Sequence, residues 1–217
     1  MLRKRVAVLI SGRGSNMAAL IEAAKDPSYP AEIVLVVSNR PDAGGIAYAR
    51  EAGIATTIID HIDYRKDREA FERALQAVLE GSNIDIVCLA GFMRLFTPWF
   101  VGRWEGRMLN IHPALLPAFK GLHTHEQALA AGAKTHGATV HLVSADMDSG
   151  PSVCQGAVPV MDGDTAETLA QRVLTIEHRI YPLALKWLAE GSLRVSEGHC
   201  LVNASIPNGV LVPSGSR

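Results

Sequence analysis

The segment that decides the fold is Val6-Ala7-Val8-Leu9-Ile10-Ser11-Gly12-Arg13-Gly14-Ser15-Asn16, in which an apolar run leads into a glycine-containing loop. An aliphatic, partly β-branched run without polar alternation predicts a strand that is covered on both faces. A helical pattern at 16–25 follows the loop, so the segment predicts a strand, a tight turn and a helix. Strand–helix units of this kind build mostly parallel sheets.

The alternation of apolar runs and helical patterns continues along the chain. Strands are predicted at 33–37, 54–59, 84–90, 108–111, 138–143 and 153–160, and helices at 43–52, 64–80 and 123–131. A last helix is predicted from a capping box at Asp164 and Glu167 to a stop at Gly191, with a kink or interruption at Pro182. After Ser192 we expect a hairpin and a frayed end. The predicted fold class is α/β, an open, mostly parallel twisted sheet with helices on both faces.

Length and charge fit one globular domain without a strongly charged surface. The 217 residues predict a single domain over 1–217, of which about 199–217 is a C-terminal extension or tail. A formal net charge of −1 gives no electrostatic footprint for nucleic acid or anionic lipid. The first apolar run is too short for a signal peptide, and no stretch approaches the roughly 20 apolar residues of a membrane span.

The cysteines indicate a reducing compartment. Cys88, Cys154 and Cys200 are odd in number and lack CxxC spacing. Neither a disulfide framework nor a metal cluster is therefore expected, and a cytoplasmic location suits the chain best. The sequence leaves open whether the protein is a monomer or a homodimer.

The loop after the first strand is predicted to bind a single phosphate. Its glycines allow close approach of a ligand, and the free N–H groups of the following helix favour an anion. A dinucleotide fingerprint is disfavoured because Met17 stands where a glycine is needed and Ser38-Asn39-Arg40 where an acid is needed. A loop that binds a nucleoside triphosphate would be longer and would contain a Lys-Ser/Thr pair, and this loop has neither feature. The alternative is a plain tight turn capped by Ser15 or Asn16.

A second cluster of polar residues suits acyl transfer to an amine. Asn110 and His112 are two apart at the end of a predicted strand, so their side chains point to the same side. An amide can stabilise a developing oxyanion, and an imidazole can move protons near neutrality. Asp146 or Asp148, in a turn between two predicted strands, could favour the charged form of His112. The alternatives are an Asx turn and a structural histidine.

These segments resemble a known family. The folate-dependent formyltransferases have signatures similar to Asn110-Ile111-His112-Pro113-Ala114-Leu115-Leu116-Pro117 and Met147-Asp148-Ser149-Gly150-Pro151. Three further segments resemble the phosphoribosylglycinamide formyltransferases within that family: Ile10-Ser11-Gly12-Arg13-Gly14-Ser15-Asn16, Leu89-Ala90-Gly91-Phe92-Met93-Arg94 and Gly121-Leu122-His123-Thr124-His125. The resemblance runs from about Val6 to about Glu190.

The resemblance implies a reaction and its residues. The reaction is transfer of the formyl group of 10-formyltetrahydrofolate, a co-substrate, to the amine of 5'-phosphoribosylglycinamide (GAR) in purine biosynthesis, without a metal. The implied catalytic residues are Asn110, His112 and Asp148. GAR would be bound by Gly14, Ser15, Asn16 and Glu177, and the folate by Arg68, Met93, Arg94, Leu95, Phe96 and Asn110. For Glu177 the alternative is a solvent-facing charge, and Arg13 could contact the phosphate or face water.

Other functions fit the sequence less well. A methionyl-tRNA formyltransferase would carry an added RNA-binding domain, and a formyltetrahydrofolate hydrolase an N-terminal regulatory domain; we expect neither here. A non-catalytic module for a phosphorylated ligand would explain the glycine loop but would not require Asn110, His112 and Asp148 together. A nicotinamide oxidoreductase is disfavoured by Met17 and by the missing acid near residue 39.

Overall fold

A computed structural model describes residues 2–213. The chain forms two compact units, Met1–Leu109 and Asn110–Arg217. The first contains β1 (Lys4–Ile10), α1 (Ser15–Ala24), β2 (Ala31–Ser38), α2 (Gly45–Glu51), β3 (Ala55–Ile58), α3 (Arg68–Gly81), β4 (Ile86–Leu89) and α4 (Pro98–Arg103). β5 (Met108–His112) has residues in both units. The second continues with α5 (Thr124–Ala130), β6 (Thr135–Leu142), β7 (Ser152–Pro159), α6 (Ala166–Glu190), β8 (Leu193–Ser196), β9 (His199–Val202) and β10 (Val210–Leu211).

The first unit is a parallel sheet covered by helices. Its strands follow the order β4-β1-β2-β3, and each neighbouring pair is parallel. The five residues Val6–Ile10 of β1 are 0 % exposed, as their uninterrupted apolar character predicts. The chain moves outward from β1 to β3 and then returns to β4 on the other side of β1. Because such crossovers are right-handed, α1 and α2 lie on one face of the sheet and α3 lies on the other.

The second unit contains antiparallel strand pairs. Its strands follow the order β5-β6-β7-β10, and both β6–β7 and β7–β10 are antiparallel. Helix α6 packs against β6 and β7. A Cβ atom on Gly156 would lie 2.1 Å from Ile176, so this glycine permits the close approach of α6 to β7. The α/β class with a mostly parallel sheet, predicted from the sequence, is confirmed.

The predicted hairpin of the tail is also present. Strands β8 and β9 pair in antiparallel fashion as a separate two-stranded sheet. The frayed end expected beyond it is wrong for Val210 and Leu211, which form β10 and pair with β7. The last four residues, 214–217, lie outside the described residues. In the part of the chain that the structure covers, 2–213, no helix combines the length and apolar character needed to cross a membrane.

Two predictions about α6 are corrected. The capping box lies one residue later than predicted, on Thr165 and Thr168, because Asp164 is occupied elsewhere: it forms an ion pair with Arg172 and accepts the N–H of Met161. The helix also continues unbroken through Pro182 to Glu190, so the predicted interruption does not occur.

Other boundaries differ by a few residues. Helix α3 begins at Arg68 rather than at 64, because the Asp67 side chain accepts the N–H of Ala70 and caps the helix. The short elements α4 and β10 were not predicted.

Candidate active site

Strand β5 ends with the two polar residues that its spacing places on one side. Asn110 is half-buried and His112 is 5 % exposed. The Asp148 side chain, from the loop between β6 and β7, reaches the same place and is 10 % exposed. The second unit thus brings together Asn110, His112 and Asp148, although Asp148 lies 38 residues after Asn110 in the sequence.

His112 has an acceptor at each ring nitrogen. Its Nε2 lies 2.9 Å from the carbonyl oxygen of Phe119, and its Nδ1 lies 3.4 Å from Oδ2 of Asp148. A carbonyl oxygen can only accept, so Nε2 carries a proton and donates it. A carboxylate oxygen also only accepts, so Nδ1 can form a hydrogen bond with Asp148 only if it too carries a proton. The imidazolium form satisfies both contacts.

The Asp148 loop is held in an unusual backbone conformation. Asp148 has φ of 49°, in the left-handed region that aspartate tolerates better than most residues. Its Oδ2 accepts the N–H of Gly121 at 3.1 Å, and Ser149 accepts a hydrogen bond from Lys120 at 2.7 Å. A Cβ atom on Gly150 would lie 1.8 Å from the Leu142 carbonyl oxygen, so only glycine fits there. These contacts fix the carboxylate beside His112.

His141 is a member of this cluster that the sequence did not single out. It lies in β6, is 2 % exposed, and its Nε2 is 3.0 Å from Nδ2 of Asn110. Its Nδ1 is 3.0 Å from the carbonyl oxygen of Leu142, to which it must donate. Burial lowers the pKa of His141, so the ring is neutral and Nε2 is an acceptor. Asn110 therefore donates one amide hydrogen to His141 and keeps the other for a ligand.

One sequence signal could have identified His141. It interrupts an otherwise apolar run at 138–143 that was predicted to be a buried strand. A polar ring in such a position needs hydrogen-bond partners. Which partners it finds depends on the neighbouring strand, which the sequence alone does not specify.

Two further imidazoles continue from Phe119 in a row of ring contacts. The ring centroid of His136 is 5.9 Å from that of Phe119 and 5.2 Å from that of His125. Burial lowers the pKa of His136 to about 4, and it also lowers the pKa of His125. Both rings are therefore neutral at physiological pH and add no positive charge to this part of the second unit.

In the first unit, the glycine loop opens helix α1 without a cap. Gly14 has φ of 76° and stands at the N-cap position, and no side chain caps the helix there. A Cβ atom at Gly14 would lie 3.0 Å from Met17 and 3.1 Å from Gly45, so this position needs glycine. The capped-turn alternative is thus not observed. The N–H groups of the first helical turn, which lack acceptors within the helix, remain available to an anion.

The predicted folate residues of the first unit lie in an irregular segment and at a helix start. Met93 and Leu95 are 68 % and 52 % exposed. The Arg94 guanidinium lies 5.0 Å from the ring centroid of Phe71, while Phe96 stacks on Phe92 and Phe100. Arg68 is the first residue of α3 and is exposed. The segment presents apolar and cationic surface to solvent.

The sequence leaves two possible environments open for Glu177 and two for Arg13. Glu177 lies on α6 in the second unit and is only 7 % exposed, so the solvent-facing alternative for it is wrong. Arg13, in the glycine loop, is exposed.

Among residues 2–213, no group of three or more His, Cys, Asp or Glu side chains is placed to hold a metal ion.

Comparison with known proteins identifies the family. The family model described as formyl transferase matches residues 4–185, most of the chain. This chain belongs to the formyl transferase family. The family that its motifs resemble is thereby confirmed.

Individual relatives of this formyl transferase agree with that assignment. The phosphoribosylglycinamide formyltransferase of Escherichia coli (strain K12) is 46 % identical over 192 residues, which are 88 % of this chain and 90 % of that protein. The crystal structure of glycinamide ribonucleotide transformylase 1 from Symbiobacterium toebii superposes with a TM-score of 0.89 at 44 % identity, covering 92 % of this chain and 94 % of that one.

A longer relative matches over part of its length. The trifunctional purine biosynthetic protein adenosine-3 of Bos taurus is 52 % identical over 195 residues, or 90 % of this chain. These residues are 19 % of that protein, so the formyl transferase spans about a fifth of the length of this trifunctional relative.

Proposed function

We propose that this formyl transferase moves the formyl group of 10-formyltetrahydrofolate to the amine of GAR, giving formyl-GAR and tetrahydrofolate, in de novo purine biosynthesis. The observation that carries the proposal is the buried cluster of Asn110, His112 and Asp148 in a chain 46 % identical to a phosphoribosylglycinamide formyltransferase. The substrates are small molecules, and the reaction requires no metal.

Asn110 and His112 stabilise the transition state. The GAR amine attacks the formyl carbon, and negative charge develops on the formyl oxygen. The amide hydrogen of Asn110 that is not bonded to His141 and the N–H of a protonated His112 donate to this oxygen. Removing one such donor typically lowers the rate about 100- to 1000-fold.

Asp148 orients His112. Its Oδ2 lies 3.4 Å from Nδ1 of His112, where it can accept the N–H of that nitrogen. A proton then passes from the attacking nitrogen to the leaving N10, with His112 or a water molecule as the relay. No covalent intermediate on the enzyme is needed, because the amine of GAR is itself the nucleophile.

The Phe119 carbonyl competes with the substrate for His112. In the structure, Nε2–H of His112 donates to this carbonyl at 2.9 Å. Donation to the formyl oxygen therefore requires that this hydrogen bond be broken or shared. We infer that the segment carrying Phe119 shifts when substrate binds.

The remaining residues bind the two substrates. Gly14, Ser15 and Asn16 hold the phosphate of GAR at the uncapped start of α1, and the buried Glu177 also binds GAR. The folate is contacted by Arg68, Met93, Arg94, Leu95, Phe96 and Asn110. The exposure of Met93 and Leu95 supports an apolar contact surface for the donor.

The two units serve one formyltransferase domain over 1–217, with a tail from about 199. The match of the family model to 4–185 includes residues of both units and supports this assignment. We place the reaction in the cytoplasm, in keeping with the three free, buried cysteines.

Product formation tests the proposal. Purified protein is incubated with GAR and 10-formyltetrahydrofolate, and both loss of the donor and formation of formyl-GAR are followed. We expect turnover that depends on GAR, and a loss of about 100-fold or more in His112→Ala. The matched control is His199→Ala, because His199 is exposed on the tail hairpin.

Three outcomes would contradict the proposal in different ways. Donor consumption without GAR would indicate a hydrolase. Binding of both substrates without turnover would indicate a non-catalytic module. Full activity in a correctly folded His112→Ala protein would leave the reaction standing and remove His112 from it.

A further inference from the structure

Residues 91–97 of the first unit form neither helix nor strand. This segment contains Met93 to Phe96, which the proposed function assigns to the formyl donor. Exposed irregular segments are commonly mobile, and mobility weakens binding because the segment must be ordered when the ligand arrives. Side-chain contacts at both ends and in the middle of this segment oppose such mobility.

The first end is held by a buried hydroxyl. The N–H of Met93 donates to Oγ of Ser11 at 2.8 Å, and Ser11 in turn donates to Oδ1 of Asn39 at 2.6 Å. Ser11 and Asn39 are 6 % and 3 % exposed. The carbonyl oxygen of Asn39 accepts from Nδ1 of His61 at 2.7 Å. Because the hydroxyl proton is committed to Asn39, a lone pair of Ser11 faces Met93.

The second end is held by a buried carboxylate. Glu72 of α3 is 1 % exposed, and its Oε1 accepts the N–H of Thr97 at 2.7 Å. Its Oε2 accepts the hydroxyl of Thr97. Thr97 is the N-cap residue of α4, so Glu72 fixes the point where the irregular segment becomes helical.

Aromatic stacking holds the middle of the segment. Phe92 stacks on Phe71 at 6.5 Å between ring centroids, and Phe96 stacks on Phe92 at 5.4 Å and on Phe100 at 4.4 Å. Phe71 and Phe100 are buried and Phe92 and Phe96 are partly buried, whereas Met93 and Leu95 are exposed. The segment is thus pinned while its outer side chains stay accessible.

We propose that Ser11, held by Asn39, and Glu72 are positioning residues that fix the two ends of segment 93–97 and so preorganise it for the formyl donor. The proposal rests on the proposed function only for the identity of the ligand. The positioning itself concerns hydrogen bonds within the first unit and can be measured without turnover.

Amide hydrogen exchange tests the positioning. In Ser11→Ala the N–H of Met93 loses its acceptor, and we expect its exchange to become about tenfold faster or more, which corresponds to about 1.4 kcal/mol. In Glu72→Leu the N–H of Thr97 loses its acceptor, and we expect faster exchange at Thr97. The matched control Ser28→Ala removes an exposed hydroxyl of the same unit and should change neither amide. Unchanged exchange in both variants would overturn the proposal.

Steady-state kinetics of the same variants test the consequence for the reaction. We expect the KM for 10-formyltetrahydrofolate to rise about tenfold, while the KM for GAR and kcat at saturating donor stay within about twofold. A general loss of structure would instead change all three quantities. Faster exchange with an unchanged donor KM would overturn the preorganising role. If the wild-type protein did not formylate GAR, the proposed function would fail while the exchange result still decided the positioning.

Discussion

His112 and His141 are both buried imidazoles of the second unit, yet their partners give them different chemistry. The nitrogens of His112 face a carbonyl and a carboxylate, both acceptors. Those of His141 face the Leu142 carbonyl at 3.0 Å on one side, and the Asn110 amide at 3.0 Å and Oδ1 of Asp148 at 3.7 Å on the other. His112 therefore donates towards acceptors on both sides, whereas His141, whose nearer partner is the amide, orients Asn110. The burial that lowers the pKa of His141 supports the same division.

Replacing His141 should misplace the Asn110 amide. In His141→Leu the amide loses its acceptor and can rotate, so we expect kcat to fall about tenfold or more with little change in either KM. His141→Gln keeps an oxygen acceptor and should retain more of the rate. Steady-state kinetics of the two variants, with unfolding curves as a check on stability, provide the measurement. Equal rates in His141→Leu and the wild type would contradict the orienting role.

At the scale of elements, the turn between β1 and α1 requires glycine at one position only. Gly14 has a positive φ and close neighbours, whereas a Cβ atom at Gly12 would meet nothing within 4 Å. The requirement matters for function because the same turn exposes the first N–H groups of α1. A change at Gly14 should therefore act on the phosphate of GAR.

Gly14→Ala should raise the KM for GAR by about tenfold or more, because the added methyl group displaces Met17 or the backbone of Gly45 and thereby distorts the anion site. Gly12→Ala is the matched control in the same loop and should change this KM much less. Kinetics with GAR varied at saturating donor make the comparison. A similar KM for both variants would argue against phosphate binding at the start of α1.

The sequence predicted the regular elements well and their ends less well. Short apolar runs such as Val6–Ile10, partly β-branched and bounded by a glycine loop, indicate strands that are buried on both faces. Helix α4, by contrast, has six residues, and its first turn depends on Glu72 of another helix. The cap of α6 moved to Thr165 because Arg172, eight residues later, binds Asp164. Such choices are made by partners distant in the chain.

The same limit applies to the site. The motifs indicated Asn110, His112 and Asp148 through spacing and family resemblance, and the fold brings them together. The roles of His141 and of the Phe119 carbonyl depend on hydrogen bonds between different elements. A local sequence pattern does not show which nitrogen of an imidazole bonds to which partner. These contacts therefore could not be predicted and are known only from the structure.

At the scale of the whole molecule, buried histidines couple stability to pH. Burial lowers the pKa values of His125, His136, His141 and His178 in the folded protein. For His136 the value falls from 6.5 to about 4. Between these values the unfolded chain binds a proton that the folded protein does not, so the folded state loses stability as the pH falls below about 6.5.

Removing His136 should reduce this pH dependence. His136→Leu removes the titrating group together with its ring contacts to Phe119 and His125, so the change in unfolding free energy between two pH values is compared rather than its absolute value. From pH 7.5 to pH 5 we expect the variant to lose on the order of 2 kcal/mol less free energy of unfolding than the wild type. Urea unfolding at the two pH values measures the difference. The exposed His199→Ala should keep the full dependence, and an equal loss in all three proteins would contradict the assignment.

The rate of formyl-GAR formation in a double-mutant cycle tests whether His112 and Asp148 act as one catalytic unit. The four proteins are the wild type, His112→Gln, Asp148→Asn and the double variant, each assayed with saturating GAR and 10-formyltetrahydrofolate. Because Asp148 acts through His112, we expect each single variant to lose at least about tenfold, and the double variant to be no more than about threefold slower than the slower single one. If the two losses multiply instead, or if the wild-type protein forms no formyl-GAR, the account of this site is wrong.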